Sequence, residues 1–337
     1  MKAHIAGLGW VTPLGTGLDE VWARLDRGDV GERKRLTNPE TGRAHDYLPV
    51  PLKLVEPIGR HPRLRRSSAI SLFAVAAGLA ALEDAGLKMT PELAARTAVV
   101  FAISDGGVLY TRKYYEQIVK QGANAASPLL FPETVYNAPA SHLAALLGID
   151  GASYTLVGDA SIGLTALHFA AQLLALGGID QCVVVGAEEC DWILCEAYAD
   201  WRLARTPLAE GAAAVVLRRD GRWKLHTHPG APFVRQRDAS AALGRVLADF
   251  SSEAPEEVVV SSANRSFVDR AEAQALAGRA GAVRRFAPKT SFGEAPGASA
   301  LLQVVTAALA LEKLQLTRAL VPVIGWNQQA AAVLVGR

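Results

Sequence analysis

Two turns of small residues, each delivering the chain into a long apolar helix, constrain this sequence more than any other feature. The first, Val157-Gly158-Asp159-Ala160-Ser161-Ile162, leads into an apolar stretch from Gly163 to Leu176, and the second opens a stretch from Gly293 to Lys313. A helix that is apolar all round has to be covered on every side. Short β-branched runs alternate with these and other helical segments. Strands are expected at Ile5 to Leu8, Thr97 to Ile103, Ser153 to Val157, Cys182 to Val185 and Ala213 to Leu217. After the turn pair Asp220-Gly221 the pattern restarts at Trp223 to Thr227, Glu257 to Ser261, Ala282 to Phe286, Leu320 to Ile324 and Ala331 to Val335. The repeat predicts an α/β chain made of two βαβαβ halves, 1–220 and 221–337, in one compact unit. The two apolar helices would lie between sheets, in an α-β-α-β-α arrangement.

Local punctuation agrees with this plan. Gly86 is a stop signal for a helix beginning near Ser68, and Thr90-Pro91-Glu92 supplies a cap, a proline suited to the first helical position and an early acid. Gly7-Leu8-Gly9 and Asp105-Gly106-Gly107 lack the spacing of a nucleotide fingerprint and read as turns. The stretch Ala295 to Leu311 is the one segment resembling a membrane span, but it starts at a Pro-Gly pair and carries Gln303, so it reads as a core helix.

Of the 337 residues 50% are hydrophobic, which exceeds what a core needs and predicts buried helices or a subunit interface. The net charge of +2 argues against nucleic acid as a partner. The start, Met1-Lys2-Ala3-His4-Ile5, has no signal-peptide pattern, and a cytoplasmic protein is expected. Cys182, Cys190 and Cys195, placed on a strand and its following loop, give neither a disulfide framework nor zinc spacing. His226 and His228 share a strand face, but no acid or cysteine lies nearby in sequence, so no metal site and no cofactor are expected. His142 and His168 sit in apolar helical settings and are expected to be satisfied core or interface residues.

The segment around Ala160 has the layout of a nucleophile turn without a nucleophile. In such turns the apex side chain sits at a helix N-terminus, where the partial positive charge lowers a thiol pKa. Alanine has no lone pair to offer. Asp159 and Ser161 flank the apex, and the expected reading is a turn in which both bond local backbone.

Several stretches in order give a family resemblance over nearly the whole chain. They are Ile5-Ala6-Gly7-Leu8-Gly9 through Val11-Thr12-Pro13-Leu14-Gly15 to Val21-Trp22, then Ala80 to Leu87, then Ser127-Pro128, Phe131-Pro132, Asn137, Ser141-His142-Leu143-Ala144 and Leu147-Gly148 to Gly151. The sequence resembles the β-ketoacyl-acyl-carrier-protein synthases of the thiolase fold. By that resemblance the family's active-site cysteine falls on Ala160. Its first catalytic histidine falls on Asn264 in Val258 to Ser266, and its second on Glu294, with the neighbouring Lys289 and Gly293 retained. The glycine-rich C-terminal loop becomes Gly325-Trp326-Asn327-Gln328. The last histidine in the chain is His228.

Decarboxylative condensation needs a thiolate to carry the acyl group and imidazoles to steady the enolate. Losing the nucleophile alone costs such a unit on the order of a millionfold. The resemblance therefore implies a catalytically silent subunit, not an enzyme by itself, similar to the chain-length factors that pair with an active ketosynthase in polyketide, polyene or fatty-acid-type pathways. It implies a dimer interface or pocket wall at Phe131, Thr134, Tyr136, Asn137 and His142, with Phe292 and Trp326 as possible pocket fillers. Arg60, Arg63, Arg65 and Arg66 fall where the family presents basic residues to an acyl carrier protein, and a solvated helix start explains them equally well. The alternatives are repurposed chemistry on acyl thioesters using Asp159, Ser161 and Glu294, or a non-catalytic homodimer binding an acyl group or carrier protein.

Overall fold

The computed structural model describes residues 1–250, 257–277, 279 and 282–337. Ten strands carry the main sheet: β1 (Lys2–Val11), β2 (Thr97–Ile103), β3 (Ser153–Val157), β4 (Gln181–Glu188), β5 (Gly211–Arg218), β6 (Trp223–Thr227), β7 (Glu257–Val260), β8 (Ala282–Phe286), β9 (Arg318–Ile324) and β10 (Gln329–Gly336). A two-residue strand, Ala231–Pro232, joins β10 and completes eleven. The order is β8-β7-β9-β10-β6-β1-β5-β4-β2-β3. Each end is a parallel triplet, β8-β7-β9 and β4-β2-β3, while the centre is antiparallel. The strand path is continuous through β6 and β1, where the strands of the two halves meet. Ala3 to Leu225 and Ile5 to Trp223 pairing closes the seam.

Seven helices matter here: α1 (Ala69–Asp84), α2 (Ala138–Leu147), α3 (Ile162–Leu176), α4 (Trp192–Asp200), α5 (Ala239–Ala248), α6 (Phe267–Leu276) and α7 (Pro296–Lys313). The sheet curves around α3 and α7, whose apolar residues share one core with the inward faces of both halves. Every residue of α7 from Pro296 to Leu311 is buried, which is why its sequence has no polar stripe. Helices α1 and α2 cover the outer face of the first half, and α5 and α6 that of the second. Among the described residues no helix is long and apolar enough to cross a membrane.

Three local expectations change. Gly7 and Gly9 are not turn residues: they lie within β1, where α1 crosses so closely that a Cβ would come within 2.1 Å of the Ala81 carbonyl oxygen and 2.2 Å of that of Ala77. The long helix begins at Pro296 instead of Gly293. Gly293, at φ +84°, ends a short helical turn over Lys289–Phe292, and a proline with no N–H to satisfy then starts α7. Cys195 lies on α4 rather than on a loop, and all three cysteines are buried and free. The Thr90 cap is as read, with its Oγ1 accepting from the Leu93 N–H.

Candidate functional site at the strand-to-helix turn

Strand β3 ends at Val157 and α3 starts at Ile162, so the four residues between form the turn read from the sequence. Ala160 is buried at its apex. Asp159 organises the turn: its Oδ1 accepts from the Ser161 N–H at 2.9 Å and from the Ser161 hydroxyl at 2.7 Å. Its Oδ2 accepts from the Asn327 N–H at 2.6 Å and so fastens the Gly325–Gln328 loop across the turn. A Cβ at Gly325 would meet that carboxylate, which explains the glycine there. These hydrogen bonds run to Ser161 and the Asn327 loop, and none runs to Glu294.

The second cluster is wholly buried. Glu294 Oε2 accepts from the Lys289 ammonium at 2.8 Å and from the Asn264 amide at 3.0 Å, while Oε1 accepts from the Ser299 hydroxyl at 2.9 Å. The Lys289 and Glu294 side chains are 3% and 0% exposed. Asn264 is spent on this arrangement, since its Oδ1 accepts from Ser266 Oγ at 2.5 Å and its carbonyl takes the Arg205 and Thr206 N–H groups. The carboxylate is therefore compensated on both oxygens and cannot offer a donor to a developing oxyanion. The structure brings Asn264, Lys289 and Glu294 together. It does not join them to Asp159 and Ser161, whose hydrogen bonds run to the Asn327 loop.

A cleft of about 440 Å³ opens beside the turn, lined by Ser104, Asp105, Val157, Gly158, Asp159, Tyr198, Trp201, Leu203, Trp326 and Asn327. Trp326 stands edge-on to Tyr198 with centroids 5.2 Å apart, so it forms a cleft wall. Phe292 instead packs into the core against Trp10.

Sequence reading missed the acids behind this wall. Burial pushes Asp105 up to about 6, against the Tyr198 hydroxyl that donates to it at 3.1 Å. Burial, reinforced by Asp105, holds Glu188 well above the ordinary carboxyl range while the Gly297, Ser104 and Asp105 N–H groups bond it. Glu189 and Glu210 are each raised to about 7 by burial. The signal available was the pair Glu188-Glu189 closing the apolar run Val183-Val184-Val185-Gly186-Ala187.

The remaining candidates fall on the surface. Phe131, Tyr136 and Asn137 are exposed, Thr134 bonds the Phe131 carbonyl, and His142 lies 2.6 Å from Glu133 Oε1 and 3.3 Å from Ser67 Oγ. Burial opposes ionisation of Glu133, yet the hydrogen bonds from His142 and Ser68 hold it below its ordinary value. Arg60 pairs with Glu56, and Arg63, Arg65 and Arg66 are exposed in or near the turn before α1. His168 bonds the Thr227 hydroxyl at 3.0 Å. His228 meets Asp249 at 3.1 Å, an acid distant in sequence, but no group of three potential metal ligands occurs among the described residues.

Comparison with known proteins agrees with the layered fold. The model of the β-ketoacyl synthase N-terminal domain matches residues 2–222. The chain belongs to the β-ketoacyl synthase family. It is similar to the tetracenomycin polyketide synthase ketoacyl synthase beta subunit of Streptomyces glaucescens, 28% identical over 360 residues that cover 91% of this chain and 85% of that one. It is also similar to 3-oxoacyl-[acyl-carrier-protein] synthase 2 of Vibrio harveyi, 27% identical over 193 residues. That match covers 56% of this chain and 46% of the relative, so the chain spans about half the length of this synthase. Among solved structures, the ishigamide ketosynthase/chain length factor superposes with a TM-score of 0.81 at 20% identity, covering 100% of this chain and 99% of that one. The fold is the ketosynthase fold of the thiolase type.

Proposed function

We propose that this member of the β-ketoacyl synthase family is a catalytically silent, chain-length-factor-like subunit that pairs with an active ketosynthase and an acyl carrier protein in polyketide, polyene or fatty-acid-type biosynthesis. The observation that carries the reading is the closed quartet of Glu294, Lys289, Asn264 and Ser299. The positions that resemble the family's two histidines hold Asn264 and Glu294, hydrogen-bonded to each other with the Glu294 charge paired by Lys289, and the apex offers only the Ala160 methyl. This supports a site without the thiolate and imidazoles that condensation uses. The similarity to the tetracenomycin beta subunit supports the pairing role.

The surface supports an interface as well. Strand β3 ends the sheet with its outer edge unpaired among the described residues, and Val157 on it is 53% exposed. Leu129, Phe131 and Tyr136 add exposed apolar area in the segment that leads towards it. An uncovered strand edge of this kind is a template for association.

Co-expression with an active synthase of this family and size-exclusion chromatography tests the pairing. A stable one-to-one complex is expected, whereas a homodimer that ignores every such synthase overturns it. Incubation with radiolabelled acyl thioester should leave no covalent adduct. The repurposed-enzyme alternative is disfavoured because Asp159, Ser161 and Glu294 do not share a hydrogen-bonded group.

A further inference from the structure

The outer helical layer leaves a gap on the face of the sheet opposite the α3–α7 core. Along β1 and β6 the inward residues Ala3, Ile5, Trp223 and Leu225 belong to that core. Alternation then sends Lys2, His4, Lys224 and His226 to the other face. Helix α1 covers β1 only from Gly7 onward, and α5 covers β10 on the far side. Between them lies a cavity of about 530 Å³ whose lining includes Lys2, His4, Lys224, His226, Leu334 and Gly336.

Among the described residues no acid lines it. Arg318, also on its wall, is engaged with Glu257, but Lys2 and Lys224 have no salt bridge among the described residues. His4 Nδ1 is buried with no hydrogen-bond partner among the described residues. His226 is held below its ordinary value by burial and then by the positive amino terminus and Lys2, with only Asp249 acting the other way. The cavity therefore joins uncompensated positive charge, a buried ring nitrogen without a partner and the apolar strip of Leu334 and Gly336.

We propose that this cavity binds a small amphipathic anion, a single carboxylate or phosphate head on an apolar body. The head lies by Lys2, Lys224 and His4, and the body runs along Leu334 and Gly336. This inference is independent of the proposed pairing role, since the cavity lies on the opposite side of the sheet from the turn and involves none of its residues.

Isothermal titration calorimetry of the full chain with octanoate, octyl phosphate and octanol tests it. Saturable binding of octanoate or octyl phosphate is expected, the stronger of the two naming the head group, with octanol at least tenfold weaker. The double substitution Lys2→Gln/Lys224→Gln should weaken binding of the anion at least tenfold with Tm unchanged, and Leu334→Glu should block it. Lack of saturation with both anions at millimolar concentration, equal binding of octanol, or an unaltered Kd in the folded double variant would each overturn the proposal.

Discussion

Lys289 Nζ lies 2.8 Å from Glu294 Oε2 in a site where neither side chain reaches solvent. A buried pair of this kind is held by compensation. Removing one partner strands a charge at a cost of about 3–5 kcal/mol, whereas replacing both by apolar residues is often near neutral. Lys289→Met alone should lower the unfolding free energy by about that amount. Lys289→Met/Glu294→Leu should recover most of it in urea denaturation, less what Asn264 and Ser299 lose when their shared acceptor goes.

Restoring a thiol should not restore condensation. Ala160→Cys places sulfur at the N-terminus of α3, where the helix field favours a thiolate. The rest of the mechanism is still replaced by Asn264 and Glu294, so an acyl adduct can form but no condensation product should appear. Thioester labelling followed by mass spectrometry, with product analysis in parallel, separates the two steps.

Stability should fall as pH rises through neutrality. Burial raises Glu189 and Glu210 to about 7 and Asp105 to about 6. Because these folded values exceed the unfolded ones, the stability they contribute is complete below about pH 4 and is lost as pH climbs towards 7. Glu133 acts oppositely, with its contribution lost only as pH falls below 4.5. Tm should therefore be higher near pH 5.5 than near pH 8. Glu189→Gln removes the titration and should flatten that slope, at some cost in Tm, because its one amide oxygen can accept from only one of the Ile70 and Leu109 N–H groups that the two carboxylate oxygens serve.

At the sheet edge, Val157→Lys should abolish co-elution with a partner synthase while changing Tm little, because the side chain is already 53% exposed. Charge reversal at Arg63 and Arg66 should instead weaken capture of an acyl carrier protein and steepen nothing in the thermal melt. Surface plasmon resonance across a salt series would read this as a slower association rate.

Gly7→Ala should be among the most damaging single-methyl additions in the chain. The new Cβ would sit 2.1 Å from a backbone oxygen of α1, and neither strand nor helix can give way without disturbing the other. A loss of about 1–3 kcal/mol or more is expected from such overpacking, readable as a lower urea midpoint.

The strands were legible because β2 and β4 are buried on both faces and therefore read as short apolar runs, Thr97 to Ile103 and Cys182 to Val185, the second continuing in the structure to Glu188. Helix α7 was legible from the same cause, as full burial removes any need for a polar stripe. Gly7 and Gly9 misled because a glycine needed for close approach looks, in one dimension, like a glycine needed for a turn. The apex at Ala160 could be placed from local pattern alone. What Glu294 does could not, since its partner Asn264 lies thirty residues away on the loop after β7, and Asp249 likewise reaches His228 from a separate element. Such encounters between remote segments carry no local signal.

The place of β1 in the middle of the sheet has a consequence for how the molecule is made. Val11 pairs with Ala212 and Lys2 with His226, so during synthesis β1 has neither of its neighbours until roughly two hundred further residues have followed. A nascent chain must hold that strand exposed for most of its synthesis, at risk of joining another copy's edge. Splitting the gene between residues 220 and 221 should accordingly give fragments that aggregate when produced separately.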